Sequence, residues 1–243
     1  MTPRIFTILL LIVLSSAAGA QPYAGLSIGR TTNPEFFDTS ARYAFPDLAT
    51  GGGDCCTLTH STDTSDSSFR MLLGTRFANG FGLESSIANL GRFDSSFDVS
   101  GAFWTAFNRP DVQFGRCVES GRFRFSALTF AGTYQWGYGR EISIVPKIGV
   151  SAMLVDFTTQ SHCEATYTDG TTAVADVPQD KQRLSFVPMI GAGLHWTIGN
   201  GLTITLDAEI RDGILVADSV EAIERGKGRI RMTSIWIGLE RQF

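Results

Sequence analysis

Eight stretches of this chain alternate apolar and polar residues with a period of two, and the connections between them alternate between very short and very long. That pattern constrains the fold more than composition does. A period of two puts one apolar and one polar face on a strand. The segments are Tyr23–Gly29, Ser68–Phe77, Phe81–Leu90, Arg122–Trp136, Ile142–Val155, Arg183–Ile198, Leu202–Arg211 and Thr233–Phe243. In the fifth, Ile142, Ile144, Pro146, Ile148, Val150, Ala152 and Leu154 share one face, and Ser143, Lys147, Gly149 and Ser151 share the other. Only Arg122–Trp136 loses its phase. There Phe123 and Phe125 suggest one face, while Leu128, Phe130, Tyr134 and Trp136 suggest the opposite one, so a bulge is expected between them.

The short connections are Ala78-Asn79-Gly80, Gly137-Tyr138-Gly139-Arg140-Glu141 and Gly199-Asn200-Gly201, all with hairpin-turn chemistry. The long ones are residues 30–67, 91–121, 156–182 and 212–228. No segment approaches the run of about 18 apolar residues that a spanning helix requires. The strands, in contrast, are as long as a tilted membrane-spanning strand must be, roughly 9–11 residues or more. Lipid offers no partners to backbone groups, so spanning strands must close into a barrel, and an even number closes an antiparallel sheet. The expected fold is therefore all-β: an eight-stranded antiparallel up-and-down transmembrane β-barrel with one long-loop end. Phe77, Phe81, Tyr134, Trp136, Trp196 and Phe243 cluster at the short-turn end, as an interfacial aromatic girdle would. The polar face would then line a narrow interior, where Arg70, Arg76, Glu84, Lys147, Arg183, His195, Asp207, Glu209, Arg211 and Glu240 must pair. The rival is a soluble barrel or sandwich, in which the apolar face points inward and these charges are solvated.

The ends sharpen the reading. Residues 1–20 place Arg4 before an apolar run from Ile5 to Leu14 and finish Ala18-Gly19-Ala20, the order of a cleaved secretory signal peptide. One barrel domain is expected over 21–243. The net charge of −4 includes no basic patch, which argues against nucleic acid as a partner. At the other end, Ile235, Ile237, Leu239 and Phe243 share a face, and the last residue is aromatic. This resembles the terminal strand of bacterial outer-membrane barrels, and the resemblance implies that Phe243 helps the barrel-insertion machinery recognise the chain.

The whole of 21–243 resembles the OmpA-like and opacity-type family of small outer-membrane barrels. The resemblance rests on Tyr23-Ala24-Gly25-Leu26-Ser27-Ile28-Gly29, on Gly82-Leu83-Glu84, and on Val187-Pro188-Met189-Ile190-Gly191-Ala192-Gly193-Leu194. These loose motifs imply an architecture, with outer-membrane lipids as surroundings, rather than an activity.

All four cysteines fall in the long connections: Cys55 and Cys56 in the first, Cys117 in the second, Cys163 in the third. An exported chain with an even cysteine count suggests disulfides. Neighbouring cysteines bridge only with strain, so Cys55 and Cys56 are expected to pair with Cys117 and Cys163, in an order the sequence leaves open. A metal site is the alternative, since His162 adjoins Cys163 and His60 lies near Cys56, but no metal-ligand spacing is present. The first long connection also carries Phe36, Phe37, Tyr43 and Phe45, and the second Phe97, Phe103, Trp104, Phe107 and Phe114. The aromatics of the second are a candidate contact surface for a surface ligand or host molecule; packing beneath the loops is the plainer alternative.

No catalytic, cofactor-binding or metal-ligating set stands out. His195, near Asp207 or Glu209 in the expected sheet, reads as a hydrogen-bonded interior histidine rather than a general base. A pore is disfavoured because an eight-stranded bore is filled by side chains, although glycines such as Gly25, Gly74, Gly191, Gly193 and Gly238 lighten the polar face. The expected function is that of a structural or adhesin-like surface protein, with disulfide-tied loops as its interaction surface. Lipid modification and small-solute conductance are the alternatives.

Overall fold

Alternating sequence becomes strand nearly throughout. The computed structural model describes residues 20–33, 56–101, 112–137, 140–215 and 228–243. Among the described residues nine strands run in order: β1 (Gln21–Thr32), β2 (Cys56–Thr62), β3 (Ser65–Arg76), β4 (Phe81–Gly101), β5 (Val112–Tyr134), β6 (Ile142–Tyr167), β7 (Thr172–Gly199), β8 (Leu202–Leu215) and β9 (Gly228–Gln242). β3 pairs with β4 from Phe69↔Asn89 to Arg76↔Gly82, and β2 pairs with the far half of β4 from Cys56↔Gly101 to Thr62↔Ser95. β2 and β3 thus make one broken stave. The eight staves pair antiparallel with their neighbours in sequence, and β1 closes the ring against β9 from Tyr23↔Gln242 to Thr32↔Thr233. The chain is a closed eight-stranded antiparallel β-barrel.

The faces are those of a barrel in lipid. Leu26, Ile28, Met71, Leu83, Phe130, Ile148, Phe186, Leu206 and Ile237 all point outward and are exposed, Ile148 by 70%. Phe81, Tyr134, Trp136, Trp196 and Phe243 are exposed at the short-turn end, at the height expected of the girdle, and Phe77 is half-buried. The charges are inside. The soluble alternative is therefore overturned, because an apolar outside over a charged inside is stable only where lipid replaces water. The turns follow their residue chemistry: Gly80, Gly199 and Gly201 hold positive φ, and so does Asn200 at 52°.

Two expectations need correction. From Arg122 to Tyr134, β5 alternates without a break: Phe123 and Phe125 share the inward parity with Ala127, Thr129, Ala131 and Thr133, while Leu128, Phe130 and Tyr134 point out. The change along β5 is chemical, since its inward positions turn from polar to apolar towards the long-strand end. The bulge lies on β4 instead, where the register shifts between Asn89 and Gly91 opposite Ser126 and Phe125. Gly91 adopts φ +104°, and its amide donates to Asn89 Oδ1 at 3.0 Å. The extra residue moves β4 from even positions inward (Glu84, Ser86, Ala88) to odd ones (Phe93, Val99).

The second correction concerns the long connections. Residues 91–121 and 156–182 are mostly strand: β4 to β7 run well past the apolar belt, and β6 and β7 meet in a tight turn around Asp169-Gly170. There Asp169 Oδ1 accepts from the Thr171 amide at 2.9 Å and Gly170 takes φ +83°.

Candidate functional site

Three zones stack along the barrel axis. Nearest the short turns lies a buried ionic network. It holds four cations, Arg70, Arg76, Lys147 and Arg211, against four anions, Glu84, Asp207, Glu209 and Glu240, with His195 among them. The sum is neutral when His195 is neutral, which lessens the cost of removing these charges from water. Arg70 bridges Asp207 and Glu209 and also donates to Ser27 Oγ at 3.2 Å. Lys147 Nζ lies 3.2 Å from Glu84 and 3.3 Å from Asp207. Arg211 donates to Glu209 at 2.7 Å, and Arg76 sits 3.7 Å from Glu240. His195 reaches Asp207 at 3.3 Å and Glu240 at 3.6 Å, rather than Glu209.

The sequence makes room for these groups by setting glycine opposite them. Glu240 faces Gly25, Glu84 faces Gly74, Glu209 faces Gly191 and Asp207 faces Gly193. A Cβ on Gly193 would stand 2.0 Å from Asp207 Oδ1, and one on Gly74 would stand 2.3 Å from the Tyr23 ring. The interior glycines are spaces for side chains, not a lumen.

Two members of the network escape the sequence reading. Trp236 is fully buried, donates Nε1–H to Glu209 at 3.1 Å and lies beneath the Arg70 guanidinium at 5.1 Å. Tyr23 donates to Glu84 at 3.3 Å and lies beneath Arg76 at 4.6 Å. Strand parity is the available signal, because both share the inward face with polar residues. One expected member is absent. Arg183 keeps inward parity but sits above the network, half-buried, with its guanidinium 5.6 Å from the Phe157 ring.

Above the charges comes an apolar plug of Leu90, Phe93, Phe125, Ala127, Met153, Val155, Val187, Met232 and the Trp236 ring. Phe93 meets Phe125 edge-on at 5.5 Å. With ions below and aromatic rings above, the bore is filled by side chains.

The third zone is the sheet that β2 and the outer halves of β4, β5, β6 and β7 extend beyond the belt. Arg92, Arg124, Asp156 and Gln182 pair across four strands and mark its base on the outward face. Above them both signs of charge interleave. Arg92 and Arg122 donate to Asp94, Arg116 donates to Asp98, and His162 bridges Asp176 at 2.7 Å and Glu164 at 3.1 Å. Arg92 and then Arg122 hold the Asp94 carboxyl below its usual range, and Arg116 does the same for Asp98. Hydrogen bonds to Asp176 and Glu164 raise His162, while burial raises Glu119.

Among the described residues, one disulfide staples this sheet. Cys117 on β5 and Cys163 on β6 face each other directly in the register and are bonded, with Cα atoms 4.1 Å apart. The expected pairing of these two with Cys55 and Cys56 is thereby overturned, as is their placement outside strands. Direct opposition in the register brings the two sulfurs within reach of each other. Cys55 and the side chain of Cys56 lie outside the described residues, as do Phe103, Trp104 and Phe107. Phe97 and Phe114 do not share a surface: Phe97 has inward parity and is half-buried, whereas Phe114 points outward and is 49% exposed. Among the described residues no cluster of three or more His, Cys, Asp and Glu side chains suits a metal ion. Cys163, bonded to Cys117, has no thiolate to offer one.

Solved structures that the chain is similar to include Neisserial surface protein A (8% identity, TM-score 0.43, 93% of this chain and 99% of that one). The outer membrane protein OprG from Pseudomonas aeruginosa is another (14% identity, TM-score 0.44, 93% and 96%). A third is the attachment invasion locus protein of Yersinia pestis (13% identity, TM-score 0.40, 92% and 99%). No family model matches the chain, and no curated protein matches it. The closed barrel stands on its own strand pairing. An apolar belt, a charged interior and short turns opposite one long end make the architecture that of an outer-membrane β-barrel, whose long end faces the cell exterior.

Proposed function

We propose that this barrel is a surface protein of a bacterial outer membrane, structural and adhesin-like, whose exterior sheet is the interaction face. The observation that carries the reading is the reach of that sheet. On β6 it continues from Asp156 to Tyr167, roughly 35 Å of strand at about 3.3 Å per residue. It is mostly polar on its outer face and tied by the Cys117–Cys163 bond. Spanning the bilayer requires none of this, and loops and extensions held on a rigid scaffold are where binding residues concentrate.

The conducting alternative meets the filled bore, where Trp236, Arg70, Phe93 and Phe125 are fully buried. The catalytic alternative meets His195, which is shut away from both lipid and exterior between Asp207 and Glu240.

The test is to shorten both hairpins, joining Ser96 to Ser120 and Gln160 to Pro178 through two-residue turns. Cells carrying either form are then measured for retention on immobilised glycans and matrix proteins. Retention by the full chain above cells lacking it, lost in the shortened form while the barrel still changes gel mobility on boiling, is the expected result. Equal retention by both forms, or none by the full chain, contradicts the adhesive role.

A further inference from the structure

On the outward face of the exterior sheet, successive cross-strand rows differ sharply in side-chain size. Just above the belt edge lies the row Asp94, Arg122, Thr158, with Asp63 beside Asp94 through an amide-to-carbonyl hydrogen bond of 2.9 Å. The next row is Ser61, Ser96, Ser120 and Gln160 across β2, β4, β5 and β6. The row beyond carries Asp98, Val118 and His162. Three serines in line between larger neighbours leave a trough across the strands, enclosing about 420 Å³.

Every side chain that lines it is polar. Hydroxyls from Ser61, Ser96, Ser120 and Thr158 stand beside the carboxylates of Asp63 and Asp94, the Gln160 amide and the Arg122 guanidinium. Planar carboxylate, amide and guanidinium groups beside hydroxyls match the donors and acceptors of a sugar ring. Arg122 gives only Nε to Asp94, so both of its terminal nitrogens remain without a partner among the described residues. Arg124, two positions along the same outward face at the belt edge, is exposed and makes no ion pair or hydrogen bond among them. Two guanidiniums with free donors at that height suit phosphate oxygens.

Height selects the occupant. One cross-strand row above the belt is two residues, roughly 5 Å after strand tilt, which is the layer that lipid headgroups fill. We infer that the trough binds the headgroup of a phosphorylated glycolipid in the outer leaflet, with sugar over Ser96 and Ser120 and phosphate on Arg122 and Arg124. This rests on the outer-membrane reading above.

The test titrates the detergent-solubilised full chain with three probes: lipopolysaccharide lacking its O-polysaccharide, the same glycolipid dephosphorylated, and phosphatidylglycerol. Boiling-dependent gel mobility first establishes that each variant is folded; a wild-type chain that lacks it overturns the barrel reading rather than this one. With the barrel folded, the phosphorylated glycolipid should bind at least about tenfold more tightly than phosphatidylglycerol. Ser120→Tyr, or Thr158→Tyr should the first variant not fold, fills the trough and should weaken the glycolipid about tenfold. Arg122→Ala with Arg124→Ala should weaken the phosphorylated form about tenfold and leave the dephosphorylated form almost unchanged. Equal affinity for glycolipid and phosphatidylglycerol, or indifference to a filled trough, reduces the site to general surface charge and overturns the inference.

Discussion

Arg70 holds the interior together at the scale of single residues, since it pairs at once with Asp207 and Glu209 and covers Trp236. Arg70→Met should leave two buried carboxylates short of a partner and cost about 3–5 kcal/mol, read as a lower urea midpoint in lipid vesicles. Gly193→Ala makes a separate test, because its methyl group would collide with a carboxylate that the network fixes. A loss of about 1–3 kcal/mol is expected from the overpacking, and an unchanged midpoint would show that Asp207 is free to move. Outside the membrane, hydrogen bonds to Asp176 and then Glu164 raise His162 above its ordinary value of 6.5. A raised folded-state value means that the protonated bridge steadies the β6–β7 hairpin below that ordinary value and is lost as pH rises through the raised one. Amide protection in the hairpin, measured relative to the intrinsic rate at each pH, should therefore fall over that upward step, and His162→Gln should remove the fall. Parity along the strands is enough to assign Arg70, Lys147, Glu84 and Asp207 to the interior. It cannot say which ions meet, because Arg70 and Asp207 stand 137 residues apart in sequence. It also passes over Trp236 and Tyr23, since a large aromatic residue on a polar face signals neither lipid nor charge.

At the level of elements, the informative difference lies in the outer halves of β4 to β7. Hydrophobic alternation reports a strand only where one face is buried in apolar surroundings. Beyond the belt the outward face of β6 carries Asp156, Thr158, Gln160, His162 and Glu164, and its inward positions include Thr159 and Ser161, so the periodic signal vanishes while the pairing continues. The usable signals are of another kind: threonine- and valine-rich runs on either side of Asp169-Gly170, which have strand propensity and hairpin-turn chemistry. The bulge at Leu90–Gly91 is displaced by one strand in the sequence pattern for a related reason, because a change in which residues are apolar looks the same in sequence as a change in which residues point inward. The cross-strand disulfide joins two strands already in register. Cys117→Ala with Cys163→Ala should leave the barrel folded and remove about 2–4 kcal/mol from the exterior hairpins. Limited proteolysis of intact cells checks this: cleavage within β5 and β6 beyond the belt should appear in the variant and in reduced wild type, and resistance in both would mean that strand pairing alone suffices.

For the molecule as a whole, every feature follows from which face meets lipid. The ring of eight staves, the neutral set of buried ions, the apolar plug and the girdle at Trp136 and Trp196 are consistent only if the apolar face is the outside. The sequence carries this organisation because the alternation of short and long connections follows from barrel sidedness. It carries the exterior function poorly, since that resides in polar rows whose meaning depends on register. The central claim is tested most directly with tryptophan fluorescence in vesicles whose acyl chains are brominated. Variants retaining only Trp196, or only Trp236, report on the two faces of the same wall. Strong quenching of Trp196 with little or none of Trp236 is the expected result. Quenching of Trp236 as strong as that of Trp196, or no quenching of either, would contradict a barrel that turns its apolar face to lipid and seals its charges within.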